Sequence, residues 1–252
     1  MLLTIDQGNT STKFGIWENN ELKHFAVMDT KDGDYAVVIR NLLYRNNLKE
    51  EFLDDVIISS VVPVYSERLA KDIIDLTGKE AIFIDPRHSY GISVDTPNVD
   101  EVGSDLLVMC AYAYHKYHEE LLVVSMGTAT VISHVSEDGV FKHAIIAPGI
   151  GKIAEVLWGN AAKLPEFELK RTTSFLANTT VDAMNVGIYQ GFIGSLRYLI
   201  AGIRSDLGRK PKVVACGGFG KEVVKDIKEI EYYEPDMVTN GLHYIYEVFI
   251  KE

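Results

Sequence analysis

Short apolar runs broken by turn residues dominate the first sixty positions. Leu2 to Ile5 lead into Asp6, then comes Gly8-Asn9-Thr10-Ser11-Thr12-Lys13, and a second apolar run covers Phe14 to Trp17. Runs this short, rich in β-formers and bounded by turn chemistry, predict strand, tight turn, strand. Glu21 to Met28 predicts a third strand after Asn19-Asn20, and Tyr35 to Arg45 a helix with Val37, Val38, Leu42 and Leu43 among its apolar positions. Asp55 to Val62 (DVIISSVV) reads as a buried strand stopped by Pro63. A helix over Tyr65 to Leu76 and a short strand over Ala81 to Ile84 follow. Three strands, then helix, strand, helix, strand is the ribonuclease-H-like order, an antiparallel meander extended into a parallel sheet.

The pattern then repeats. In Leu121 to Val135 (LLVVSMGTATVISHV), Leu121 and Leu122 fall where Leu2 and Leu3 stood, Ser125 where Asp6 stood, Gly127 on Gly8 and Thr128 on Asn9. Two such hairpins imply an α/β chain of two duplicated ribonuclease-H-like domains, residues 1–117 and 118–252, each supplying a phosphate turn to an interdomain nucleotide cleft. Between the hairpins lie an irregular stretch, His88 to Val102, and an apolar helix, Asp105 to Tyr117, with Ser104 as its expected N-cap. After the second hairpin the pattern predicts a strand at Phe141 to Ile146 and a turn at Ala147 to Gly151 into a helix over 152–159. A long helix over Thr180 to Asp206 carries Gly187, Gly191 and Gly194 on one face. That spacing suits close helix contact, inside the chain or across a subunit interface, at a cost of about 1 kcal/mol per glycine. Lys212 to Ala215 predicts a strand running into Cys216-Gly217-Gly218, and Val238 to Ile250 a closing helix.

Composition narrows the function classes. The 252 residues carry a net charge of −11, and an acidic surface repels nucleic acid and anionic lipid. Cys110 and Cys216 make neither a metal-ligand spacing nor a disulfide framework. No apolar run reaches the roughly 18 residues of a membrane span, and no basic-then-apolar leader opens the chain. The expectation is a cytoplasmic protein with no nucleic-acid or membrane partner.

The first turn carries the chemistry. Gly8 lets backbone approach a ligand; Asn9, Thr10, Ser11 and Thr12 offer donors; and Lys13 adds a cation, the groups a polyphosphate needs. Asp6 is suited to hydrated magnesium. Because the chain returns as a strand, this is not the glycine-rich strand–loop–helix phosphate motif. Gly217-Gly218, at a strand end, suits a base or ribose passing close to backbone. Taken alone, each feature is also what an ordinary polar hairpin or strand–helix turn would show.

Together these residues resemble the type III pantothenate kinases of the acetate-and-sugar-kinase, heat-shock ATPase and actin superfamily, over nearly the whole length. Asp6 to Lys13 matches DxGNTxxK, and Glu101-Val102-Gly103-Ser104-Asp105 matches EVGxDR up to its aspartate. Gly127-Thr128-Ala129 matches DxGTAxT from its glycine through its alanine. Pro148-Gly149 and Ala162-Lys163-Leu164-Pro165 resemble PG…TAxLP; Thr180 to Met184 with Gly187 and Gly191 resembles TxxAxxxGxxxG; and Cys216-Gly217-Gly218 resembles TGG. The resemblance implies ATP-dependent phosphorylation of pantothenate with magnesium and a monovalent cation, potassium or ammonium. It assigns Asp105 as general base, with Gly103, Ser104 and the residue at 106 around the substrate. Asp6 would hold magnesium through water, and Lys13 and Thr128 would hold phosphates. Gly217 and Gly218 would flank adenosine, and Thr180 would reach the substrate from the partner of a homodimer.

Two positions depart from the family. Leu106 replaces an arginine, which could clamp a carboxylate bidentately where leucine cannot; Arg87 and His88 are upstream candidates to compensate, or simply part of a solvated loop. Ser125 replaces the aspartate linked to the monovalent cation, leaving only a neutral hydroxyl. The alternatives these departures open are a degenerate nucleotide-binding relative with a regulatory role and a kinase of a related small hydroxyl compound.

Overall fold

The computed structural model describes residues 1–159 and 164–251, so the Ala162-Lys163 pair lies outside the described residues. The chain divides into two compact units, residues 1–116 with 237–252, and residues 117–236.

In the first unit, β1 (Leu2–Gln7), β2 (Ser11–Glu18) and β3 (Glu21–Asp29) form the expected meander. Helix α1 (Tyr35–Arg45), β4 (Asp55–Ser60), α2 (Pro63–Thr77) and β5 (Ile82–Phe83) follow, and the sheet order is β3-β2-β1-β4-β5. β4 lies parallel to β1. Its run DVIISS is buried at four central positions, as a strand covered on both faces must be. Leu3, Ile5, Phe14, Ile16 and Ile58 make a core with Ile39 and Leu43 of α1 and Leu69 and Ile73 of α2. A two-residue strand, β6 (Ser93–Val94), precedes α3 (Ser104–Tyr117).

The second unit repeats the plan. β7 (Leu121–Met126), β8 (Ala129–Val135) and β9 (Val140–Pro148) form a meander, followed by α4 (Ile150–Gly159), α5 (Thr180–Leu207), β10 (Lys212–Cys216), α6 (Gly220–Val223) and β11 (Tyr232–Tyr233). Its strands run β9-β8-β7-β10-β11, the order of the first unit with β10 parallel to β7. Ile188, Phe192, Leu196 and Ile200, at helical spacing on α5, seal one face against Leu122, Val124, Val213 and Ala215.

The closing helix α7 (Met237–Ile245) differs from the sequence reading, which placed it with residues 118–252. It packs in the first unit against β1, β2 and β4. Trp17 of β2 stacks on His243 with ring centroids 4.0 Å apart, so the helix covers a sheet face that would otherwise stay exposed. No helix among the described residues is long and apolar enough to cross a membrane.

Candidate active site

β1 brings Asp6 to the sheet edge where the first turn begins. Hairpin register sets Asp6 directly opposite Lys13, and Lys13 Nζ lies 3.3 Å from Asp6 Oδ2. Asp6 is only 9% exposed. Burial pushes its carboxyl above the usual carboxylate range, and the Lys13 charge and hydrogen bond oppose that shift.

The turn is braced from beneath. Gly8 N–H donates to Ser11 O at 3.1 Å, and the Thr30 hydroxyl donates to Gly8 O at 2.7 Å. Thr30 has a single hydroxyl proton, so in its 2.9 Å contact with Thr12 the donor is Thr12. Tyr35 OH donates to Thr30 O at 2.8 Å. Thr12 is fully buried and supports the turn instead of facing a ligand as the sequence reading had it. Asn9 and Thr10 are exposed at the tip, with Gly8, Ser11 and Lys13 partly so.

Asp105 stands in the first turn of α3. Its Oδ1 accepts the Leu106 N–H at 2.8 Å. Burial pushes its carboxyl up, and the nearby Asp6 charge adds to that; the Leu106 amide and Lys13 oppose both. A Cβ on Gly103 would fall 2.6 Å from Asp105 Oδ1, so glycine there leaves room for the carboxylate. Ser104 does not act as an N-cap. It is the first helical residue, and its hydroxyl donates to Ser60 O at 3.0 Å and lies 2.9 Å from Ser59 Oγ. Leu106 is half-buried. Arg87 is exposed and engaged by Asp100 at 2.9 Å, and His88 lies 3.5 Å from Asp85. Both belong to a solvated loop.

In the second unit Ser125 takes the place of Asp6, and Val131 stands opposite it where Lys13 stood. The charged pair of the first turn is thus replaced by a neutral one. Backbone packing shapes this turn. Gly149 N–H donates to Thr128 O at 3.1 Å, and a Cβ on Gly149 would sit 2.1 Å from Gly127 O. Gly217 adopts φ 101°, a left-handed value, and a Cβ there would meet Met126 O at 2.2 Å. Its glycine is therefore required by chain geometry before any ligand is considered, whereas Gly218 is exposed with open space around it. Thr128 is exposed on the turn.

Thr180 opens α5 behind its N-cap Thr179, whose hydroxyl oxygen accepts the Asp182 N–H at 3.1 Å. Thr180 is exposed and lines an apolar groove of about 530 Å³ together with Pro148, Leu157, Ala183, Gly187 and Gly191.

The residues that sequence reasoning missed are the buried polar ones behind the turns: Thr30, Gln7 and Ser59. Gln7 and Ser59 had a visible signal, since polar residues ending apolar strands mark the ligand end of a parallel sheet. Thr30 had none.

Comparison with known proteins adds a family context. The model of the type III pantothenate kinase family matches residues 2–202. A type III pantothenate kinase of Moorella thermoacetica is 34% identical over 98% of this chain and 99% of its own length. One of Agathobacter rectalis is 33% identical over 98% and 96%. Among solved structures, component A of the (R)-2-hydroxyglutaryl-CoA dehydratase of Acidaminococcus fermentans superposes with a TM-score of 0.56 over 97% of both chains at 16% identity. That last likeness is one of fold, that of the actin-like ATPases and sugar kinases.

Proposed function

This chain belongs to the type III pantothenate kinase family, and on that footing we propose how its residues transfer the γ-phosphoryl group of ATP to the primary hydroxyl of pantothenate, the first step of coenzyme A synthesis. The observation that carries the reading is the cluster of Asp6, Lys13 and Asp105 in the first unit. Asp105 accepts or orients the acceptor hydroxyl proton. Its raised pKa makes it a stronger base than an exposed carboxylate. Lys13 and the exposed donors of the first turn, Asn9, Thr10 and Ser11, hold phosphate oxygens; the family resemblance gives Thr128 on the second turn the same role. Transfer of this kind depends mainly on positioning and charge stabilisation.

Magnesium fits the first turn. Asp6 and Asp105 supply the carboxylate oxygens that a hard divalent cation prefers, with Lys13 the one cation acting on both. Asp6 would hold it through water, and when bound the ion offsets charge on the phosphate oxygens. A monovalent cation does not fit the second turn equally well, because the Ser125–Val131 pair offers no carboxylate. A homodimer and a cytoplasmic location complete the reading. The open groove along α5 would receive a partner, and Thr180 at its mouth would reach the partner's substrate.

The test is ADP release with ATP, magnesium and pantothenate, compared with Asp105→Asn. Turnover by the native chain that the substitution abolishes, with the fold intact, supports the kinase. Nucleotide binding without phosphorylation of pantothenate would favour the regulatory relative.

A further inference from the structure

Lys13, Asp6 and Ser59 are register partners on the adjacent strands β2, β1 and β4. Register partners share a sheet face, so the three side chains form one row. Ser59 is completely buried and Ser104 6% exposed. The Ser104 hydroxyl has one proton and two neighbours, Ser60 O at 3.0 Å and Ser59 Oγ at 2.9 Å. A carbonyl can only accept, so Ser104 donates to Ser60 O and Ser59 donates to Ser104. The next residue works on the opposite face. Ser60 Oγ donates to Gln7 Oε1 at 2.7 Å and lies 2.7 Å from Ser66 Oγ in the first turn of α2. Two successive serines at the end of β4 therefore tie the starts of two helices to the strand beside Asp6. One of those helices carries Asp105, adjacent to Ser104.

This tie has work to do. Ser104 is the first residue of α3 and Asp105 the second, so whatever fixes the Ser104 hydroxyl against Ser60 O and Ser59 Oγ also fixes the backbone from which the Asp105 carboxylate projects. An ordinary polar contact at a strand end would only satisfy its own hydroxyls. This one joins the row containing Asp6 and Lys13 to the residue preceding the base.

We propose that Ser59 is a positioning residue for phosphoryl transfer: through the Ser104 hydroxyl it fixes the first turn of α3 and with it the Asp105 carboxylate. The proposal rests on the kinase reading of this site. Failure of that reading would show separately, as absence of turnover in the unsubstituted enzyme.

The test is steady-state kinetics of Ser59→Ala, Ser104→Ala, the double variant and Ser104→Thr, with melting temperatures alongside. Displacing a catalytic group by about 1 Å costs up to about 100-fold. The expected result is a fall in kcat of about 10- to 100-fold in each alanine variant, with KM for ATP within about twofold of the native value. Because the two serines act as one unit, the double variant should be no worse than the poorer single one. Ser104→Thr keeps the hydroxyl and should recover most of kcat. Should Ser59→Ala fail to fold, Ser104→Ala carries the same test, since alanine is well tolerated in a helix. Native kcat in a folded alanine variant, losses that multiply in the double variant, or no recovery in Ser104→Thr would each overturn the proposal.

Discussion

A single methyl group at Gly149 should disable the turn of the second unit that is proposed to hold phosphate. A Cβ built there falls 2.1 Å from Gly127 O and 2.6 Å from Thr128 O. Real Cβ atoms essentially never come within 3.0 Å of such a neighbour, so the turn and the start of α4 must part by about 1 Å. Both obstructing atoms are backbone, and no side chain can swing aside to relieve them. The movement breaks or stretches the 3.1 Å hydrogen bond from Gly149 N–H to Thr128 O. Overpacking of this kind costs about 1–3 kcal/mol. At about 2–4 °C per kcal/mol, Gly149→Ala should melt several degrees below the native protein. A shift of about 1 Å in phosphate donors should lower kcat/KM for ATP by about 10- to 100-fold. The assay is an ATP titration at saturating pantothenate, with thermal melting of the same samples. Gly151→Ala is the control, because a Cβ at Gly151 meets nothing within 4 Å, and it should behave as native. Unchanged kcat/KM for ATP in Gly149→Ala, or equal damage from Gly151→Ala, would refute the reasoning.

Three further outcomes are expected. Asp105→Asn should lower turnover by about 10²- to 10⁴-fold yet stabilise the nucleotide-free protein at neutral pH. Burial and Asp6 raise the folded-state pKa of Asp105 above 3.8, so the native state binds the proton more tightly than the unfolded one, and native stability rises as pH falls through that raised pKa. The gain from asparagine should be full at pH 7.5 and gone below the ordinary carboxylate value; melts showing the same gain at both ends contradict it. Turnover should be alike in potassium and sodium because Ser125 faces Val131, while Ser125→Asp should introduce a potassium preference; strict potassium dependence of the native enzyme refutes this. Gly191→Trp, at a position where nothing lies within 4 Å of a Cβ, should convert a dimer to a monomer in sedimentation, with a cooperative melt checking that the protomer still folds. A monomeric native protein would remove the homodimer.

Local pattern carried most of the fold, and contacts distant in sequence carried the rest. The strand orders of both units follow from short β-rich runs and their turns, and Asp6 and Lys13 fall opposite one another as the expected hairpin requires. Thr12 was misjudged although its signal was present: with Phe14 and Ile16 it occupies the inward positions of β2, between partly exposed Ser11 and Lys13. The docking of helix α7 left no such trace. Its place against β1, β2 and β4 depends on contacts such as Trp17 with His243, made between opposite ends of the chain, and no local periodicity reports them. Ser59 lay between these cases, visible as a polar residue in a buried strand but without meaning until Ser104 was beside it.

The duplication also implies that the two turns should tolerate different changes. In the first unit the hairpin pairs Asp6 with Lys13, and side chains, Thr12, Thr30 and Tyr35, add to the backbone bonds that brace it. In the second unit the equivalent pair is Ser125 and Val131, and backbone lies pressed against backbone at Gly149 and Gly217, with the Tyr233 hydroxyl also donating to Gly217 O at 2.8 Å. One unit has kept the charges and the other has kept the close packing. Charge-altering substitutions should therefore damage the site through the first turn, where a buried carboxylate would lose its partner. In the second turn the sensitive change is any added Cβ at the two glycines, whatever its polarity, because the obstruction there is steric and the atoms in the way are main chain. A scan that placed alanine and serine at each position would separate the two modes, with serine no better than alanine at Gly149 and Gly217.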